Sequence, residues 1–414
     1  MTEHQDHSDT SPRKYRLARG PAMHGHHKVT FVELFFDLVF VFAVTQLSHG
    51  LIAHPSLTGL LQTAILTMAV WWVWIYTSWA TNWADPDKVP IRLMLFALMA
   101  AGLVMSMAIP KAFETRALVF AGAYVLMQIG RTAAMLPVMK EQSTRHFVNF
   151  LRILIWMVPS AILWLWGALA GGTAQIILWS IAIAIEYAGP AARFYTPGLG
   201  HSRTTEWDIE PAHFAERCGL FVIIALGEAL LVTGTTFADL PWTFATFSAF
   251  IAAFVAAVAM WWIYFNIGQE RGANVLKGSG DPGRVARAYT YVHLLIVSGI
   301  IITAVADEFV LAHATGHTEV KTLAALVGGP VLYVVGCGWF KRSTAGWFPL
   351  SHMAGTVLLL ALIPLGSLAE PWLLSCLTSL ILVVVAVWER ISLGPDGVSK
   401  IGNPRERAKT MAAK

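Results

Sequence analysis

The sequence predicts an all-α polytopic membrane protein with about 12 transmembrane helices, set out as two parallel six-helix repeats. Three observations carry that prediction. Of 414 residues, 56% are hydrophobic and only 13% charged, against about 25% charged in a soluble domain. Apolar runs of roughly 18 residues or more recur along the chain, each long enough to cross a bilayer as a helix. With the N-terminus inside, the external loops hold only Lys111, Arg116 and Lys321 of the 29 Lys and Arg residues, which is the positive-inside pattern.

The elements follow in order. Residues 1–28 form a basic cytoplasmic tail without an apolar core or a small-residue cleavage site, so no removable signal peptide is expected. Its "MHGHHK" (23–28), like "HATGHTE" (313–319), could chelate a divalent metal, but neither has a compact ligand set. Contact of the tail with anionic headgroups is the better account. The first repeat covers 29–190, with spans near 29–52, 57–81, 91–110, 116–138, 147–170 and 173–190. A cytoplasmic linker follows over 191–212. The second repeat covers 213–392, with spans near 213–234, 243–266, 285–306, 320–340, 346–367 and 371–392, and a basic cytoplasmic tail, 393–414, closes the chain.

The halves match in three places and in the same order. "ELFFDLVFV" from Glu33 aligns with "ERCGLFVII" from Glu216, and "AVWWVWIY" (69–76) with "AMWWIYFN" (259–266). "IAIAIEY" ending at Tyr187 aligns with "VVVAVWER" ending at Arg390, each bringing a Glu to the inner end of the last helix of its half. An even number of helices per unit makes such repeats parallel, related by an axis along the membrane normal. Cys218, Cys337 and Cys376 lie far apart with no CxxC pair, so neither a disulfide framework nor a zinc site follows.

Function is sought among polar groups inside the spans, where a carboxylate costs about 2.5–3.5 kcal/mol even on a lenient insertion scale. Glu33 and Asp37 stand four residues apart on one face of the first helix, followed by Gln46 and His49. They need a cation, a proton or a protein partner. Arg131 on the fourth helix reaches a similar depth and is the candidate partner, with Arg152 and Glu186 nearby. Glu216 is the second-half counterpart of Glu33, whereas Leu220 replaces Asp37. Glu228, past the midpoint of the seventh helix, has no basic residue at its depth and is a candidate to be protonated or cation-bound at neutral pH. A structural ion-pair cluster is the competing account of Glu33, Asp37 and Arg131. His49, His293 and His352 read as single satisfied histidines. The crowded tryptophans of the second helix, with Trp261 and Trp262 on the eighth, read as interface belts and interhelical packing.

The opening motif, followed by "ERCGLFVIIALGEALLVTG" (216–234), resembles the bacterial low temperature requirement protein A family over about residues 24–392. The resemblance implies a multi-pass prokaryotic protein, and the family takes its name from a cold-growth phenotype. A fainter likeness runs to the two-repeat potassium channels whose first helix carries Phe-Ser-Asp. The chain departs from them, with Phe36 at the Ser and Phe31 at an Arg position.

No GxGxxG, P-loop, GxSxG or HExxH occurs, so nucleotide-driven pumping and the common hydrolase chemistries have no visible machinery. The expected function is cation- or proton-coupled secondary transport or ion conduction in a bacterial inner (plasma) membrane. The partners expected are the lipid bilayer, a monovalent cation or proton and a small solute, with no cofactor and no nucleic acid. The alternatives are an intramembrane enzyme acting on a lipid or small hydrophobic substrate, and a non-catalytic membrane stress or assembly factor.

Overall fold

The computed structural model describes residues 17–19, 28–207, 209–266, 281–345 and 347–393. Most of both predicted tails, including 23–27 of the histidine-bearing stretch, lies outside the described residues. The chain forms twelve helices long and apolar enough to cross a membrane among the described residues. In the first half they are α1 (Phe31–Ala53), α2 (Leu57–Trp83), α3 (Val89–Lys111), α4 (Ala117–Gln142), α5 (Thr144–Ala170) and α6 (Gly172–Ala191). The second half holds α7 (Pro211–Ala238), α8 (Phe244–Phe265), α9 (Gly283–Ala312), α10 (Val320–Ser343), α11 (Leu350–Ser367) and α12 (Pro371–Ser392). The only β features among the described residues are two isolated bridges, Ala18 with Ala84 and Thr196 with Gly200.

Local chemistry sets the ends. Ser56, Ser143, Thr243 and Asp281 cap α2, α5, α8 and α9 by accepting from backbone N–H groups of the first turn, each satisfying a donor that has no intrahelical partner. Thr30 and Glu33 form a full capping box at the start of α1. Helix α9 runs past the expected end at 306 and continues to Ala312, with Asp307 buried within it. One irregularity sits inside a span: residues Leu126–Gly130 of α4 form a π turn directly before Arg131, a feature that often marks functional positions.

Apolar side chains such as Leu38, Ile162, Trp166, Leu231 and Val258 face outward, as lipid contact requires. The interior is where the halves meet: α1 and α2 pack on α7 and α9. Trp71, Trp72 and Trp74 of α2 are fully enclosed there, and Trp71 donates from Nε1 to the Thr290 carbonyl of α9 at 2.8 Å. Trp261 and Trp262, expected to behave likewise, instead point out of the bundle at 44% and 42% exposure. Helices α9 and α10 approach closely at glycines, as expected where van der Waals contact drives packing. A Cβ on Gly299 would lie 2.6 Å from the backbone nitrogen of Tyr333.

Candidate functional site

The acids of α1 face α7 rather than α4. Both helices begin at the same end of the bundle, and α7 carries His213 and Arg217 one turn apart, matching the pitch of Glu33 and Asp37. His213 Nε2 lies 2.8 Å from Glu33 Oε1, and Arg217 Nη2 lies 2.9 Å from Asp37 Oδ1. All four side chains are buried.

Glu33 is saturated. Thr30 donates to its Oε2 from both N–H and Oγ1, each at 2.9 Å. Arg19, in the segment before α1, donates to the same carboxylate at 3.2–3.3 Å while its Nε donates to the Thr81 carbonyl at 2.7 Å. His213 completes the set, and its tautomer follows from Asn82. The Glu210 N–H donates to Asn82 Oδ1, so Asn82 Nδ2 must serve the Glu210 carbonyl and His213 Nδ1. With Nδ1 accepting, the Nε2 hydrogen is the one directed at Glu33, and Arg19 Nη2 packs 3.1 Å from the same nitrogen.

Asp37 is not saturated. Its Oδ1 accepts from Trp74 Nε1 at 2.8 Å and from Arg217. Arg217 also donates to Ser78 Oγ from Nη2 and Nε, at 3.2 and 3.4 Å, and its guanidinium lies 5.6 Å from the centre of the Trp74 ring. Asp37 Oδ2 and Arg217 Nη1 are buried with no hydrogen-bond partner among the described residues. A native site leaves such groups bare only for a reason. The pair therefore keeps one acceptor and one donor free.

Further out, Phe40 and Phe221 close the seam, their ring centres 6.2 Å apart. Glu228 comes next, about 16 Å beyond Arg217 along α7 at 1.5 Å per residue. It is buried and faces Thr45, with His49 further off. His49 is exposed rather than packed, and Gln46 lines a separate cavity of about 50 Å³ with His54 and Gln62. Glu216 does not sit opposite Glu33; its Oε2 accepts from the Val29 N–H at 3.3 Å, ahead of α1. Among the described residues no group of three or more His, Cys, Asp or Glu could hold a metal ion.

The structure corrects the expected pairing of Arg131. Its guanidinium donates to the Val73 carbonyl at 3.1 Å, Thr77 Oγ1 at 3.2 Å and Gln128 Oε1 at 2.5 Å, all neutral oxygens. The π turn in α4 rotates it towards α2 and Tyr76, away from α1. Glu186 instead accepts from Tyr124, Ser160 and Trp164. Neither His213 nor Arg217 follows from the match between the halves, which aligns Glu216 with Glu33 and assigns nothing to the residues beside it. The four-residue spacing His213-x-x-x-Arg217, facing Glu33-x-x-x-Asp37, was the available signal. His293 and His352 do sit in polar contacts in the interior, the first between Tyr264 Oη at 2.8 Å and the Tyr289 carbonyl at 2.9 Å. The second lies 3.3 Å from Lys341, which is paired at 2.6 Å with Glu389.

The sequence profile of the bacterial low temperature requirement A protein (LtrA) matches residues 28–387. An uncharacterized protein of Rhizobium meliloti (strain 1021) is 41% identical over 373 residues, which is 88% of this chain and 90% of the relative. No solved structure matches the chain.

Proposed function

The chain belongs to the bacterial low temperature requirement A protein (LtrA) family, and we propose that it is a cation- or proton-coupled secondary transporter or ion-conducting protein working along the α1/α7 seam. The observation that carries this reading is the half-satisfied Asp37–Arg217 pair, buried where the two halves meet. A saturated pair would be a fixed structural device; one with a free acceptor and a free donor can exchange a proton or a cation as its neighbours move. Glu228 supplies a second acidic station nearer the opposite side, reached past Phe40 and Phe221. Two stations at different depths suit alternating access, in which a central site is exposed to each face in turn. Glu33 becomes the clamp that holds the inner end of the seam, through Arg19, His213 and the capping box.

The duplicated six-helix plan belongs to this reading. In its support, each half brings the glutamate of its last helix near a cation of its fourth, Glu186 near Arg131 and Glu389 with Lys341. So do the inner membrane as location and both termini in the cytoplasm. Reporters fused after Lys414 and within 191–212 should then report the cytoplasm, and one near His313 the outside. An external C-terminus would remove both the parallel repeat and the assignment of sides.

Flux in proteoliposomes, screened over monovalent cations and pH, tests the function. Glu228→Gln keeps shape but loses charge, so it should fold yet lose flux or its pH dependence. Asp37→Asn leaves Arg217 buried without its counter-charge, so its flux is compared at equal amounts of folded protein, where flux or its pH dependence should likewise be lost. Glu33→Gln keeps the capping box, since Gln also serves at that position, and should lower yield more than flux. Wild-type flux and pH response in both deep variants would leave the acids structural and the transport reading without support.

A further inference from the structure

Independently of the seam, we propose that a second cavity, at the linker end of the bundle, binds the phosphate group of an anionic ligand through Arg131, Arg193 and Arg287. The cavity measures about 80 Å³, room for several waters or one phosphate-sized group. It lies between the ends of α2, α4 and α5, the start of α9 and the 191–207 linker. Its three arginines come from three different elements. Among the described residues, no carboxylate lines it. The acid nearest in its effect on Arg131 is Glu186, whose oxygens are already engaged by Tyr124, Ser160 and Trp164.

The donors are built in and partly unused. Arg131 is fully enclosed, and its hydrogen bonds to neutral oxygens hold the guanidinium in place without cancelling its charge. Among the described residues Arg287 makes one hydrogen bond, to the Pro190 carbonyl at 3.2 Å, out of the five an arginine can donate. The Arg193 side chain makes no ion pair or hydrogen bond among the described residues. Ser202 is 2% exposed, lines the same cavity, and its Oγ has no hydrogen-bond partner among the described residues. Planar guanidinium forks and a hydroxyl converging from separate elements match the geometry of a phosphate oxyanion.

The backbone around the cavity is held in uncommon conformations. Arg193 and Phe194 both occupy the left-handed region, at φ 54° and 49°. Two consecutive non-glycine residues there cost energy, and such strain clusters at ligand clamps. The strain is maintained by the turn between Thr196 and Gly200 and by the Ser202 N–H, which donates to the Arg193 carbonyl at 2.9 Å. Close packing fixes the linker on α9, since a Cβ on Gly283 would meet the Thr204 carbonyl oxygen at 2.2 Å. Around the cations the wall is aromatic: Trp79, Trp83, Trp207 and Phe150 contact one another with ring centres 5.5–6.2 Å apart. Such a wall suits the glycerol and upper acyl region of a phospholipid, and basic pockets between helices on the cytoplasmic side bind such headgroups. A free phosphate ester would present the same group.

The test uses the full-length protein in phosphatidylcholine nanodiscs, with phosphatidylglycerol or inorganic phosphate as probes, read by lipid retention in native mass spectrometry and by thermal midpoint. The comparison is with Arg193→Gln/Arg287→Gln, two side chains that are not enclosed, and with Ser202→Ala. Losing two charge-assisted contacts should weaken binding by about tenfold or more, with the phosphatidylcholine-only midpoint unchanged. Phosphatidylglycerol retained by the wild type and lost by the double variant, with no response to phosphate, identifies a lipid headgroup. Stabilisation of the wild type but not the variant by inorganic phosphate identifies a free phosphate ester. Equal binding by wild type and double variant, or no binding of either probe, overturns the site. Neither result depends on flux, so the failure of this site and of the transport reading can be told apart.

Discussion

Replacing Arg217 with alanine is expected to destabilise the protein by about 3–5 kcal/mol, the usual cost of leaving one partner of a buried ion pair alone. Asp37, buried in the bundle, would keep only the Trp74 N–H as a donor among the described residues. Poor expression and a lower thermal midpoint in mild detergent should follow. Neutralising the acid as well, in Arg217→Ala/Asp37→Asn, should recover part of the loss, because the uncompensated charge is then gone. The double-mutant cycle isolates that coupling. Arg131→Ala serves as the contrast. Its partners are neutral oxygens, so Asp37→Asn should bring no recovery there. Recovery with Arg131 and none with Arg217 would contradict the pairing described above.

Adding a single methyl group to α10 is expected to have opposite effects at two adjacent positions. A Cβ on Gly329 would sit 2.6 Å from Thr303 Oγ1 and 2.7 Å from the Thr303 backbone nitrogen, whereas a Cβ on Gly328 would meet nothing within 4 Å. Gly329→Ala must therefore force α9 and α10 apart, at a cost of about 1–3 kcal/mol or more for overpacking. Gly328→Ala instead gains helix propensity, worth up to about 1 kcal/mol. Thermal midpoints of the two variants should fall on opposite sides of the wild type. A shared direction would mean that the α9/α10 contact is looser than described.

Both expectations rest on features of unequal visibility in the sequence. The twelve spans were legible because bilayer thickness imposes a length and an apolar composition that each helix must meet on its own. Their ends agree closely with the structure, since caps such as Ser56, Ser143 and Thr243 act within a few residues. The ninth span, expected to end at 306, continues to Ala312 and takes the buried Asp307 with it, because the packing of neighbouring helices around that turn is not written in the local sequence.

By itself, then, the sequence determined that this is a twelve-span, all-helical membrane protein of the low temperature requirement A family, with acids at Glu33, Asp37 and Glu228 that need partners. Only the tertiary structure decided who those partners are. Depth along the membrane can be counted in residues, but the azimuth of each helix cannot. Arg131 and Arg217 both reach the level of the α1 acids, and the π turn in α4 together with the parallel packing of α7 on α1 turns one away and the other inward. The Ser202–Arg193 cavity is harder still to read in advance. It exists only because a strained linker folds back beneath helices from both halves, and no local rule of spacing encodes that return.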